Sequence, residues 1–487
     1  MRDFSLALHT DLYQLTMAYG YFKEGIADKE TVFHHFFRKK PFGGEYAIVC
    51  GLDNLIDFIQ NFRFSTSDLD YLKSLKGSND LPLFDDPFLE YLANFSFTLD
   101  IDAAPEGTVI FPYEPIIRVQ GSLLQAQLLE SALLNIVNFQ TLIATKASRI
   151  LVAAEGQEVV EFGMRRAQGI DGALSASRAS FVGGCSATSN VLAGKKFGIP
   201  VKGTHAHSWV MSFSDEQQAF ESFAHIMPGN ATFLVDTYDS IQGTKKAIAV
   251  AKSKGADFKF LAVRLDSGDL AQLSIEIRKL LDQAGFLKTK IMASNELDEF
   301  IIRDLKHQGA KIDVWCVGTS LSTAKGQSAL DGVYKLSAYK DEKGQWQQTI
   351  KISEQLIKTT NPGNLEVRRY YTDQGYIADM IYDRMNPTVE APTLIHPIDS
   401  TKKKKILGKI SHHDLLIPIF KEGNCIYYRP KLKQIQDHMK REMEKFHPSV
   451  MRFLYPNPFF VGLESSLYET KIALMERIKN EKSSINC

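Results

Sequence analysis

Two imidazoles sit in the run Pro200-Val201-Lys202-Gly203-Thr204-His205-Ala206-His207-Ser208-Trp209, where a β-like segment gives way to a glycine, a hydroxyl and helix-opening spacing. Such a pair can cap or fill a core, ligate a metal, or supply a nucleophile that accepts a phosphoryl group. No third ligand stands at metal-like spacing, which leaves core or capping histidines and, as the sharper alternative, an imidazole that accepts a phosphoryl group. A second cluster, Arg264-Leu265-Asp266-Ser267-Gly268-Asp269, offers a guanidinium, two carboxylates and a hydroxyl within one turn. Carboxylates so spaced can hold a sugar diol or a hydrated Mg²⁺, and Ser267-Gly268 can bring backbone donors close to a phosphate. An exposed acidic turn has the same pattern. The third cluster, Val317-Gly318-Thr319-Ser320, is a small-residue turn opening a helix, where free N–H groups and hydroxyls can cradle a phosphate or simply cap the helix. The nucleotide patterns G-x-x-x-x-G-K-[S/T] and G-x-G-x-x-G are absent.

These clusters need a common scaffold. Strand-like runs occur at Val159–Phe162, Val201–Thr204, Thr232–Asp236, Phe260–Arg264, Ile291–Ser294 and Val314–Val317, and all but the last lead into helix-like stretches such as Ile275–Leu281. Repeated βα units imply a parallel sheet, and ligand-type residues on every strand end favour barrel-like closure over an open sheet with one switch point. The expected fold is α/β: an irregular TIM-like α/β barrel with an N-terminal α+β domain and a C-terminal extension. The boundaries read as 1–135 for the α+β domain, 136–345 for the barrel, and 346–487 for the extension, which packs on or completes the first domain. Near the N-terminus, Asp11–Tyr19 has helical spacing and Glu30–Arg38 is β-rich. His34 and His35, adjacent on that strand, should face opposite ways and share no ligand. Further strand-like runs fall at Thr349–Ile352 and Glu366–Tyr371, and terminal helices at Lys431–Phe446 and Ser465–Lys479.

Composition narrows the function classes. Fifty-seven basic residues balance 57 acidic ones over 487 positions, which leaves no electrostatic footprint for nucleic acid or an anionic membrane. Lys402–Lys405 is the one conspicuous basic run and reads as a solvated loop. Five scattered cysteines form no C-x-x-C pair and read as reduced thiols. The first residues lack the apolar core of a signal peptide and no apolar run approaches bilayer length, so the expectation is a cytoplasmic protein.

The motifs also resemble a known family. Thr10–Met17, Phe37–Gly43, Glu161-Phe162-Gly163-Met164-Arg165-Arg166, Gly203–Ser208, Val263–Asp269, Ser294–Glu299 and Val317–Ser320 together are similar, in order, to the nicotinate phosphoribosyltransferases. The resemblance implies a homodimeric barrel enzyme that joins nicotinate to 5-phosphoribosyl 1-diphosphate, giving nicotinate mononucleotide and diphosphate on the way to NAD. It also implies Mg²⁺, with ATP hydrolysed as co-substrate through a phosphohistidine at His207. Phe162 then resembles the platform for the pyridine ring, with Tyr13 approaching from the second subunit. Arg165, Thr204 and Arg264 resemble contacts to nicotinate, Asp266 the ribose-binding carboxylate, and Gly318-Thr319-Ser320 the 5′-phosphate loop. Ser267, Gly268 and Ser294 complete the expected substrate-binding set, and direct metal ligands stay open. A nicotinamide-using relative would be expected to carry an Asp in the helix after the Phe-Gly-x-Arg strand; Arg178–Lys195 contains neither Asp nor Glu. The alternatives are therefore nicotinamide transfer and a non-catalytic phosphoribosyl diphosphate or ATP sensor.

Overall fold

The computed structural model describes residues 6–255, 258–386, 391–408 and 410–485. Internal packing divides the chain into two compact units: Met1–Leu142 together with Ala329–Cys487, and Ile143–Ser328.

The second unit carries the chemistry-bearing motifs and is built on a parallel sheet. Its strands are β1 (Glu158–Glu161), β2 (Ala187–Thr188), β3 (Ala231–Leu234), β4 (Phe260–Leu265), β5 (Lys290–Ala293) and β6 (Val314–Val317). They run in the order β2-β1-β6-β5-β4-β3, every pair parallel. Every residue of β3 and β6 is buried, which is why these strands read as continuous apolar runs instead of alternating ones. The sheet is a half-barrel whose next strand is rudimentary. Of the expected strand Val201–Thr204, only Val201 pairs, in a single parallel bridge to Thr188.

The His205 ring reaches from that same segment to β3, where its Nε2 accepts the Leu234 N–H at 3.2 Å. An imidazole thus replaces a ladder hydrogen bond. Burial depresses the His205 pKa to about 4, so the ring stays neutral and able to accept.

Helices follow the strands: α1 (Gly169–Val182), α2 (Val191–Phe197), α3 (His207–Met211), α4 (Glu216–Ile226), α5 (Ser240–Ser253), α6 (Leu270–Gln283), α7 (Glu299–His307) and α8 (Thr319–Ser322). Four start on aspartate caps: Asp215 accepts from Gln217 and Gln218 N–H, Asp239 from Gln242 N–H, Asp269 from Gln272 N–H, and Asp298 from Phe300 and Ile301 N–H. Caps of this kind are worth about 1 kcal/mol each. Of the two carboxylates in the Arg264–Asp269 cluster, Asp269 is therefore a helix cap.

The other unit is mixed α and β. A seven-stranded sheet holds Glu30–Phe37 between Gly332–Lys340 and Ile117–Ser122, both antiparallel to it, and a six-stranded sheet centres on Val461–Glu464 and Gly375–Asp383. His34 and His35 do face opposite ways. His34 Nε2 accepts Leu365 N–H and its Nδ1 lies 2.9 Å from Ser337 Oγ, whereas His35 Nε2 lies 2.9 Å from Asn138 Oδ1. Burial lowers the first pKa to about 3 and the second to about 4, so both are neutral core residues. No helix among the described residues is long and apolar enough to cross a membrane.

Candidate active site

The C-terminal ends of β1, β3, β4, β5 and β6 bring their polar residues to one rim, and Arg264 is the node. As the fifth residue of β4, it directs its guanidinium to three partners: Nη1 donates to Thr204 Oγ1 at 2.9 Å, Nε to Ser294 Oγ at 2.8 Å, and Nη2 to Asp266 Oδ1 at 3.1 Å. The same guanidinium lies 5.6 Å from the centroid of the Phe162 ring, within cation–π range. Phe162 is the first residue past β1 and extends that strand by donating its N–H to Val317 O at 2.8 Å. Its ring rests on the apolar cluster of Val160, Ala187, Ala262, Met292, Val314 and Cys316, so one side is supported by core.

Asp266 has two differently engaged oxygens. Oδ1 takes Arg264 and the Ser294 hydroxyl; Oδ2 lies 3.8 Å from His207 Nε2. Burial pushes this carboxyl up, but the Ser294 hydroxyl and the Arg264 guanidinium outweigh it and hold the group below the usual range, so it is an anion at neutral pH. The His207 side chain is 40% exposed and opens α3, with Nδ1 3.2 Å from Thr237 Oγ1. The two imidazoles are thus separated in role: His205 is a buried acceptor in the scaffold, His207 an accessible ring at the rim.

Asp236 joins the site by structure. Its Oδ2 accepts the Asp266 N–H at 2.8 Å and the Ser267 hydroxyl at 2.6 Å, fixing the β4 turn, while Oδ1 is buried with no partner in the protein. Its position directly after the buried run of β3 was the available signal; Asp239, three residues on, has the same sequence character and is only a cap. Gly268 adopts φ +81°, the left-handed turn that carries the chain from Ser267 into the Asp269 cap.

The turn Gly318-Thr319-Ser320 lies against the Phe162 segment, and Gly163 marks the contact. A Cβ there would fall 2.5 Å from Ser322 Cβ and Oγ and 2.7 Å from Gly318 O. Thr319 Oγ1 is 3.4 Å from Glu296 Oε1, and the Ser320 hydroxyl, 1% exposed, has no protein partner. An unsatisfied buried hydroxyl is uncommon and suits an incoming oxyanion. We expect Gly163→Ala to force apart the Phe162 and Gly318 segments. Its thermal midpoint should fall by a few degrees, and its catalytic efficiency by roughly 100-fold as the platform shifts by about 1 Å; an unchanged kcat/KM would refute the shared-wall geometry.

The structure therefore gathers Phe162, Thr204, His207, Arg264, Asp266, Ser267 and Ser294 into one network, with Gly318, Thr319 and Ser320 beside Phe162. Arg165 follows on the 3-10 turn Met164–Arg166, exposed and without a partner among the described residues. Tyr13 lies half-exposed on the helix Leu12–Lys23 of the other unit and takes no part in the network.

An accessible imidazole stands at this rim, with an exposed arginine and an unsatisfied buried hydroxyl on the turns that flank Phe162, while Asp266 is already paired with Arg264. The fold and this balance of groups define an α/β-barrel enzyme that handles anionic, phosphorylated substrates. Three family descriptions cover the chain: the nicotinate phosphoribosyltransferase (NAPRTase) N-terminal domain at residues 8–138, the NAPRTase family at 157–361, and the nicotinate phosphoribosyltransferase C-terminal domain at 366–471. The nicotinate phosphoribosyltransferase of Bacillus subtilis (strain 168) is 43% identical over 491 residues, spanning 99% of this chain and 97% of that one. A Mycobacterium tuberculosis (strain ATCC 25618 / H37Rv) nicotinate phosphoribosyltransferase is 38% identical over 476 residues, spanning 98% and 93%. The crystal structure of human nicotinic acid phosphoribosyltransferase matches with a TM-score of 0.82 at 30% identity, covering 96% of this chain and 99% of that chain. The chain belongs to the nicotinate phosphoribosyltransferase family.

Proposed function

We propose that this enzyme joins nicotinate to 5-phosphoribosyl 1-diphosphate, giving nicotinate mononucleotide and diphosphate in NAD salvage, with ATP hydrolysed through a phosphorylated His207. The observation that carries this reading is the Arg264 node, which sets a cation beside the Phe162 ring and ties it to Asp266 and Thr204. A flat anion stacked on Phe162 meets Arg264 on one side and Arg165 on the other. Asp266 accepts from ribose hydroxyls, and the unsatisfied Ser320 hydroxyl with Thr319 and Gly318 receives the 5′-phosphate.

The pyridine nitrogen of nicotinate is already unprotonated near neutral pH and needs no general base. The barrier lies in expelling diphosphate while positive charge grows on the sugar, so alignment and fixed charge supply the catalysis. Asp266, held as an anion, stabilises that charge. Phe162 fixes the attacking ring.

Among the described residues no group of three or more His, Cys, Asp or Glu is arranged to hold an ion. The hard oxygen donors at the rim nevertheless fit Mg²⁺, which keeps waters and substrate phosphates in its shell. Asp236, through its unpartnered Oδ1, and Asp266 would hold it, and the ion would neutralise the departing diphosphate. A phosphate on His207 would add negative charge beside Asp266 and so favour cation binding there. The working form is a cytoplasmic homodimer in which Tyr13 of the second subunit closes over the pyridine.

Nicotinamide is the competing acceptor. The unpaired Arg165 favours a carboxylate, and the run Arg178–Lys195 carries no Asp or Glu, although Asp171 stands in the first turn of α1. A charge-assisted bond contributes about 1.5–3 kcal/mol, so nicotinate should exceed nicotinamide in kcat/KM by about 10- to 150-fold. The test is product analysis with each pyridine, phosphoribosyl diphosphate and Mg²⁺, with and without ATP. Mononucleotide formed faster from nicotinamide would reverse the assignment, and ligand binding without diphosphate release would favour a sensor.

A further inference from the structure

The turn that carries Phe162 and Arg165 is held from beneath by a buried carboxyl, which burial pushes up from its ordinary pKa against the opposing pull of the hydrogen bonds it accepts. Glu161, the last residue of β1, is 1% exposed. One of its oxygens accepts the Gly163 N–H; the other accepts the Ser177 hydroxyl of α1 at 3.0 Å and the Thr188 hydroxyl of β2 at 2.5 Å. A Met164 N–H bond supports the same carboxylate. Among the described residues no cation is paired with it.

Asn190 orients the two hydroxyls. Its Nδ2 donates to Ser177 Oγ at 3.2 Å and its backbone N–H to Thr188 Oγ1 at 3.0 Å. Each hydroxyl has one proton and is already accepting: that of Thr188 is directed toward Glu161, and that of Ser177 is shared between Glu161 and the Ala173 carbonyl at 2.9 Å. Donors thus converge on one carboxylate from a helix, a strand and the turn itself. Burial of such a group without a counter-ion is costly unless its acceptor sites are filled. A carboxylate accepts from all of these at once, whereas an amide of the same shape would turn N–H groups toward some of them.

Gly163 and Met164 are the two residues that separate Phe162 from Arg165. We propose that Glu161 is a positioning residue that sets the height and tilt of the Phe162 platform and the reach of Arg165, and so determines affinity for the pyridine substrate specifically. This rests on the assignment of nicotinate to Phe162 and Arg165 made above.

Two variants test it. Glu161→Gln keeps the shape and loses the acceptor capacity; Glu161→Asp keeps the charge and withdraws it by one methylene. Both should raise the nicotinate KM on the order of tenfold or more, with the phosphoribosyl diphosphate KM within about twofold of the wild type. Ser177→Ala, which removes one donor and leaves the anion, should move the nicotinate KM in the same direction by less. A second readout needs no substrate. Hydrogen exchange at the Gly163 and Met164 amides should quicken in Glu161→Gln while the β4 and β5 amides keep their wild-type protection. Because exchange is measured on free protein, it tests Glu161 even if the wild type uses another acceptor. A nicotinate KM unchanged in both Glu161 variants, equal increases in both KM values, or unaltered exchange at the two amides would each overturn the proposal. So would full recovery of the nicotinate KM in Glu161→Asp, since charge alone would then suffice.

Discussion

His207→Ala should leave an enzyme that still forms mononucleotide slowly at high substrate but that ATP no longer accelerates. The expectation comes from where the ring sits. His207 opens α3 with its side chain 40% exposed, a hydroxyl 3.2 Å from one ring nitrogen and the Asp266 carboxylate 3.8 Å from the other. The Arg264 node does not use it, because Phe162, Thr204, Ser294 and Asp266 are joined through Arg264 and through the Ser294–Asp266 hydrogen bond. Deleting the imidazole therefore removes the proposed phosphoryl acceptor and keeps the residues proposed to hold the pyridine and the ribose. ATP hydrolysis should fall to background with the stimulation, since both pass through the same nitrogen. Initial rates with and without ATP, with nucleotide hydrolysis followed in parallel, decide the matter. Undiminished stimulation in the variant would remove His207 from the coupling.

Arg264→Ala should be the most damaging single change at the rim, with kcat/KM reduced roughly 100- to 1000-fold or more, the scale found when one preorganised electrostatic group is deleted. Three hydrogen bonds go at once, and the Ser294 and Asp266 groups lose the cation that organises them. Lysine should restore only a fraction, because a single ammonium cannot span three partners set around a planar fork.

The variant also carries a signature in pH. Asp266 is held low in the wild type, so its anion is present at neutral pH and is lost only as pH falls through that depressed value. Without Arg264 burial is opposed chiefly by the Ser294 hydroxyl, so the carboxyl rises from its wild-type value. The acid limb of the rate profile should consequently move to higher pH in Arg264→Ala. A thermal midpoint close to the wild type would show that the change is local, and an acid limb that stays in place would mean that Asp266 is not the titrating group.

The barrel strands were legible because a parallel sheet covered on both faces leaves uninterrupted apolar runs such as Val314–Val317 and Phe260–Val263. Two elements escaped for physical reasons. Ala187–Thr188 is too short to carry a pattern, and Val201–Thr204 has strand-like residues but forms one bridge, its remaining closure made by the His205 ring. Likewise Thr349–Ile352 reads as a strand, while the strand that forms is Trp346–Gln348.

At the rim, residue type located the chemistry and geometry sorted it. Asp266 and Asp269 are equivalent in sequence, yet one meets Arg264 and the other caps α6. Asp236 and Asp239 divide in the same way. An aspartate before a helix is favoured by the free N–H groups there whether or not a ligand also comes near, so local sequence does not distinguish the two. His205 and His207 parted on burial alone, a property of the segments packed over them. Glu161 stood inside a motif, but its carboxyl turns to Gly163, Ser177 and Thr188, and no local pattern reveals that it serves the turn after Phe162.

Gly163 separates two recognition elements by less than the width of a methyl group. On the proposed assignment, a ring settling on Phe162 and an oxyanion settling at Ser320 press on segments that meet at Gly163, so a shift of one is felt by the other. Occupancy of the first should retune affinity at the second through steric communication, and the order in which the two reactants load becomes a property of that partition.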